Sequence, residues 1–193
     1  MATVSDRQVR SPAQGDAMTI FLDSAGSSLP PREVLDEVLG HLRREAEVGG
    51  YLAARERADD LEAGYGVLGE LLGAAPDEIA FTDSATRSWL AAFDAVPLAA
   101  GDRVLFSEAE YAGTAIPILH RVREVGATAE VVPSDGFGQI DVAALKEALD
   151  ERVKLVSLLH VPTNSGLVNP AREVVDAAHE VGALVLLDAC QSI

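Results

Sequence analysis

The amino-acid sequence predicts an α/β protein built on a mostly parallel sheet flanked by helices, and three observations carry that prediction. From Glu78 onward, short apolar runs alternate with segments of helical period, the pattern of repeated strand–helix–strand crossovers. Near the end, Gly182-Ala183-Leu184-Val185-Leu186-Leu187-Asp188-Ala189-Cys190-Gln191 sets four large apolar residues directly before an acid. Such a run suits a strand buried on both faces, as in the middle of a parallel sheet. Hydrophobic residues make up 48% of the chain, enough for a real core and too many for disorder over most of its length.

Residues 1–17, with Ser, Gln, Gly, Pro and mixed charge, read as a flexible N-terminal arm. Residues 18–75 read as a helical segment. Thr19 to Asp23 is a short apolar run closed by the turn-rich Ser24–Ser28, and Pro30-Pro31 opens a helix with Val34, Leu35, Val38, Leu39 and Leu42 on one face. Gly49-Gly50 ends that helix, and a second pattern covers Ala54 to Leu72, closed by Gly73. Residues 76–193 carry the alternation. Strands are expected at Glu78–Thr82, Arg103–Ser107, Thr128–Val132, Lys154–Leu159 and the run before Asp188. Helices are expected over about 85–96, 114–125, 142–149 and 170–181.

Charge and cysteine content exclude several functions. The formal net charge is −16, and the only lysines are Lys146 and Lys154. A surface this acidic repels phosphate backbones and anionic lipid, so neither nucleic acid nor membrane is expected as a partner. The single cysteine, Cys190, allows no internal disulfide and no multi-cysteine metal site, and it suits a reducing compartment. With no apolar segment of signal-peptide or membrane-spanning type, a cytoplasmic protein is expected.

The motifs with chemical content cluster at strand ends. A literal G-x-G-x-x-G at Gly64, Gly66 and Gly69 follows a charged helical pattern; a dinucleotide site needs a strand there, so these read as small residues on a packed helix face. Thr82-Asp83-Ser84-Ala85-Thr86 joins a strand end to a helix start. Free N–H groups with the hydroxyls of Ser84 and Thr86 would cradle a phosphate, although plain capping by Asp83 or Ser84 explains the same residues. Glu110-Tyr111 follows another strand end, where the ring either stacks on a flat ligand or is a half-buried loop tyrosine. His160-Val161-Pro162-Thr163-Asn164-Ser165-Gly166 brings a histidine and an amide to the same edge, or is simply a turn. Asp188 sits where open α/β sheets bind ligands, with Gln191 close behind; the acid either meets a cationic partner or caps a helix after the strand. Taken together, four strand tips offer phosphate donors, an aromatic, an amide and an acid, which describes a pocket for a planar, phosphorylated, cationic heteroaromatic.

At these residues the sequence resembles the class V aminotransferase family of pyridoxal 5'-phosphate (PLP) enzymes. That group includes cysteine desulfurases, selenocysteine lyases, isopenicillin epimerase and the C–S lyase of ergothioneine biosynthesis. Leu22-Asp23-Ser24-Ala25-Gly26 resembles L-D-x-A-[AG], and Phe81 to Thr86 resembles F-T-x-G-[TA]-T. Gly101-Asp102 to Tyr111 resembles G-D-x-[IV]-x-x-x-x-x-E-[HY], Asn169-Pro170 matches N-P, and Leu187 to Gln191 resembles [VL]-D-[GA]-[AC]-Q.

The resemblance implies a fold-type I PLP-transferase large domain and assigns cofactor contacts residue by residue. Ser84, Ala85 and Thr86 would bind the phosphate, Tyr111 would stack on the pyridine ring, Asp188 would pair with the ring nitrogen and Gln191 would bond the ring oxygen. Asn164 joins this set one place out of register with the desulfurase pattern. Tyrosine at 111, where desulfurases have histidine, and Glu45–Tyr51 look closer to the ergothioneine C–S lyase. The family's Schiff-base lysine follows the D-x-x-Q strand, and neither Lys146 nor Lys154 stands there. No catalytic residue is therefore expected in these 193 residues, which read as the truncated N-terminal portion of an enzyme, inactive alone. The implied enzyme acts on an amino acid by C–S lyase or desulfurase-like chemistry, as a homodimer at full length. Aminotransferase or epimerase activity in the same family is an alternative, as is a non-catalytic α/β binding module.

Overall fold

The structure, a computed structural model, describes residues 20–193, so the expected arm over residues 1–17 lies outside it. The chain divides into two compact units, Met1–Ala80 and Phe81–Ile193.

In the first unit, a short helix α1 (Ser24–Ser27) precedes α2 (Arg32–Val48), which starts directly after the two prolines. Gly49, at φ 85°, turns the chain into α3 (Gly50–Glu56), a conformation that costs a glycine little. The single helix expected over Ala54–Leu72 is instead two, because the chain breaks at Arg57 before α4 (Ala58–Leu72). Side-chain charges hold that break: the Arg57 guanidinium binds Asp60 at 2.8 Å and reaches back to Glu37 on α2. Arg44 likewise ties α2 to Glu56 on α3 at 2.7 Å. Gly73 closes α4 in the left-handed region. Gly69 fits the packing reading of the glycine triplet, since a Cβ there would meet the Ala74 carbonyl at 2.7 Å. The apolar stripe of α2 stays 38% to 54% exposed.

The second unit is a four-stranded parallel sheet of order β2-β1-β3-β4, made of β1 (Arg103–Ser107), β2 (Thr128–Val132), β3 (Val153–Leu159) and β4 (Leu184–Asp188). Its helices are α5 (Ala85–Asp94), α6 (Ala112–Val125), α7 (Val142–Ala148) and α8 (Ala171–Glu180). Side chains alternate along β1, as the pleat requires. Val104 and Phe106 pack with Trp89, Phe93 and Ile118 of α5 and α6. Leu105 packs on the other face with Leu145 of α7 and Val174 of α8.

Two expectations are corrected. Glu78–Thr82 is not a strand: Pro76–Glu78 is a 3-10 turn, and the residues after it, extended at Ile79, are not part of the sheet. Extended backbone counts as a strand only beside a ladder partner, which apolar composition cannot specify. β4 is not buried on both faces either. It lies at the edge of the sheet, with Leu184 53% and Leu187 40% exposed. The doubly buried strands are β1 and β3.

Arg103 pins the end of the sheet where the strands begin. Its guanidinium bonds Glu130 of β2 at 2.7 Å and the Ala148 carbonyl at 2.8 Å, and it lies 3.1 Å from Asp150.

Candidate cofactor site at the carboxyl ends of the strands

Because the strands are parallel, their carboxyl ends open onto one edge. The register sets Phe106 beside Ser157, Ser157 beside Leu186, and Leu159 beside Asp188. Leu155 and Leu186 pack on the α5/α6 side, so the two-residue period puts Ser157 and Asp188 on that same side.

At the β4 tip, Asp188 is part-buried. Its Oδ1 accepts the Cys190 N–H at 3.0 Å, and its carbonyl accepts the His160 N–H at 2.8 Å, which locks the β3 and β4 ends together. The helix-capping reading of this acid is corrected: the residues after Asp188 form a turn and no helix, and the carboxylate closes that turn. This bond engages one carboxylate oxygen and leaves acceptor capacity for a ligand. Gln191, half-buried, follows within the same turn. Burial, with the Asp188 carboxylate adding to it, pushes the Cys190 thiol up to about 11, which makes it a poor nucleophile near neutrality.

At the β1 tip, the chain turns through Glu110, whose N–H reaches the Ser107 carbonyl at 3.2 Å. Tyr111 then caps α6, 53% exposed. Its ring lies along its own helix, because a Cβ at Gly113 would come within 2.5 Å of it. Glu110 is drawn inward. Its Oε1 accepts from the Tyr111 N–H at 3.1 Å and from the Thr114 hydroxyl at 2.7 Å.

At the β3 tip, the Ser165 and Gly166 N–H groups bond the Pro162 carbonyl, and Thr163 and Asn164 are both exposed on that turn. Behind it, buried Asn169 bonds the Ile140 N–H at 2.8 Å and the Leu159 carbonyl at 2.7 Å. His160 meets the Ser192 hydroxyl at 2.8 Å.

Ser84 caps α5 by accepting the Arg87 N–H at 3.3 Å, while Asp83 pairs with Arg87 instead. Ala85 and Thr86 form the exposed first turn, whose N–H groups have no carbonyl one turn earlier.

Thus β1, β3 and β4 carry Tyr111, Asn164, Asp188 and Gln191 to one edge, while Ser84, Ala85 and Thr86 open α5, which packs on that face of the sheet. Both lysines are elsewhere. Lys154 is the second residue of β3, ~16 Å of strand before its tip, and bonds the Glu151 carbonyl. Lys146 lies in the last turn of α7, whose end meets Arg103. The buried geometry of Glu110 escapes a reading of the sequence, where it appears only as part of a motif.

The family model "Aminotransferase class-V" matches residues 20–193. The chain belongs to the class-V aminotransferase family. Among curated relatives, it is 36% identical over 191 residues to "Probable cysteine desulfurase 2" of Mycobacterium leprae, covering 93% of this chain and 45% of the relative. It is 29% identical over 182 residues to the cysteine desulfurase of Haloferax volcanii, covering 90% and 43%. The chain thus spans about half the length of the curated relatives it matches. Among solved structures, a C-DES mutant with glycine covalently linked to its PLP cofactor aligns with a TM-score of 0.81 at 21% identity, over 89% of this chain and 47% of that one. The cysteine desulfurase CsdA of Escherichia coli aligns with a TM-score of 0.77 at 23% identity, over 88% and 44%. At these identities the structural likeness establishes the fold, which is that of the fold-type I PLP-transferase large domain.

Proposed function

We propose that this class-V chain supplies the cofactor-holding edge of a PLP-dependent enzyme that acts on an amino acid, with C–S bond cleavage as its reaction. The observation that carries the reading is the convergence of an acid and an aromatic ring on the carboxyl edge of the sheet, in a chain 36% identical to a relative named as a cysteine desulfurase.

The residues fit the cofactor's three chemical features. Exposed N–H groups at the start of α5, with the Ser84 and Thr86 hydroxyls, suit a phosphate dianion. The Asp188 carboxylate, with acceptor capacity to spare, suits a protonated ring nitrogen. Tyr111, half exposed at the tip of β1, suits a flat ring, and Gln191 and Asn164 offer amides to ring oxygens. When bound, PLP supplies an electron sink for bond cleavage next to the substrate amine. The chain's own contribution is to bind and orient it and to hold charge at Asp188 Oδ.

A second reading, reversible PLP binding without a covalent anchor from these residues, is favoured by the two lysines lying away from the strand tips. A full-length homodimer and a cytoplasmic location belong to the proposal as well. Among the described residues, no helix is long and apolar enough to cross a membrane. Incubation with PLP, borohydride reduction and peptide mapping test the site. Saturable absorbance of bound PLP with no stoichiometric adduct on Lys146 or Lys154 is expected; a stoichiometric adduct on either lysine would overturn the site assignment.

A further inference from the structure

Glu110 has no part in the proposed cofactor contacts, yet it is the carboxylic acid held deepest beside them. Oε1 is engaged twice, by the Tyr111 N–H and the Thr114 hydroxyl. Oε2 is buried and meets no partner, and the Ser107 hydroxyl at the end of β1 is likewise buried and unmatched. An ionised oxygen in that position loses its hydration and regains little beyond the approach of the Ser157 hydroxyl, whereas a protonated one becomes a donor facing polar neighbours. The groups facing this carboxyl are the Tyr111 N–H and the Thr114 hydroxyl on α6, Ser157 on β3 and the like-charged Asp188 on β4.

We propose that Glu110 is a positioning residue: Oε1 fixes the first turn of α6 under Tyr111, and the enclosed, unmatched Oε2 makes this carboxyl take up a proton before the chain's other glutamates do. Burial pushes the Glu110 acid above its ordinary value, and the Asp188 charge adds to this against the hydrogen bonds of Thr114, Ser157 and Tyr111. Where Glu110 is protonated, the pair presents one negative charge to a ring that carries one positive charge at its nitrogen. That consequence rests on the PLP reading of the edge; the protonation of Glu110 does not.

The test is a carboxyl NMR titration of the full chain, cofactor-free, labelled with 13C-glutamate and assigned by the signal lost in Glu110→Gln. Glu110 is expected to titrate above the chain's other glutamates; titration among or below them would overturn the proposal. In the PLP-loaded protein, the absorbance pH profile should show a step at the Glu110 midpoint that is absent from Glu110→Gln. Glu110→Gln keeps a neutral group of the same shape, so its PLP dissociation constant should stay within about twofold of the parent value. Glu110→Ala loses both hydrogen bonds and should weaken PLP about tenfold. A Gln variant as weak as the Ala variant, or a profile unchanged by Gln, would overturn the proposal. Failure of PLP to bind at all would instead count against the functional reading, with the cofactor-free titration still deciding the state of Glu110.

Discussion

β3 and β4 lie side by side and are nearly equally apolar, yet they do different things. Leu155-Val156-Ser157-Leu158-Leu159 pairs residue by residue with Leu184-Val185-Leu186-Leu187-Asp188. Every one of the five β3 residues is buried, with strands on both sides and helices on both faces. Two of the five in β4 are exposed, because β4 has a ladder partner on one side only. Apolar content states what a strand can tolerate, and neighbours decide what it buries. In this molecule β3 carries stability, and β4 carries an acid to the edge.

The sharpest test of that division is a truncation in β3. Leu158→Ala should cost about 2–5 kcal/mol in denaturant unfolding, since the side chain is fully buried and leaves a cavity. A cost below about 1 kcal/mol would end the claim that β3 is the stabilising strand. At the tip of β4 the expected loss is in chemistry. Asp188→Asn keeps shape and hydrogen bonding but removes charge, so PLP should still bind while turnover of the full-length enzyme falls at least about a hundredfold. Near-normal turnover would show that Asp188 does not serve the ring nitrogen.

At the opposite end of the sheet, Arg103→Leu should cost about 1–2 kcal/mol, discounted because its partner Glu130 is 43% exposed. This network also fixes a pH dependence. Hydrogen bonds from Arg152 and Arg103 hold the Asp150 carboxyl down to about 2, and Arg103 lowers Glu130. A depressed acid contributes stability that is present above its unfolded value and lost as pH falls through its folded one. Stability should therefore drop on acidification from the ordinary carboxylate range toward about pH 2, and less steeply in the Leu variant. Urea midpoints measured down that limb provide the check. Leu187→Ala is the smallest effect, under about 1 kcal/mol, because that side chain is 40% exposed.

β1 and β2 fall on the residues expected from the sequence, because each is a short apolar run bounded by glycine or acidic turns. The failures have a common physical origin. Whether Ile79–Thr82 is a strand, whether β4 is covered and whether the helix after Gly50 breaks at Arg57 depend on partners distant in sequence. The site divides the same way. The placement of Asp188 at a strand end and of Tyr111 and Ser84 at helix starts was legible, because such boundaries mark themselves locally. The inward turn of Glu110 was not, since it exists only where Ser157 and Asp188 close over it from two other strands.

The two asparagines of the chain stand on either side of the β3 exit, and they will age differently. Asparagine deamidates when the backbone nitrogen of the next residue attacks its side-chain amide and closes an imide ring. Asn169 is followed by Pro170, whose nitrogen bears no hydrogen to lose, and its amide is already committed to Ile140 and Leu159. The brace behind the loop is thus sealed against this reaction by its neighbour. Asn164 is followed by Ser165, whose nitrogen does carry a hydrogen, held by a long 3.3 Å bond to the Pro162 carbonyl, and it sits exposed on the turn. As a stored sample gets older, its first new carboxylate will appear at Asn164, on the edge proposed to receive the anionic phosphate of the cofactor. Old preparations should lose affinity for PLP before they lose any of their fold.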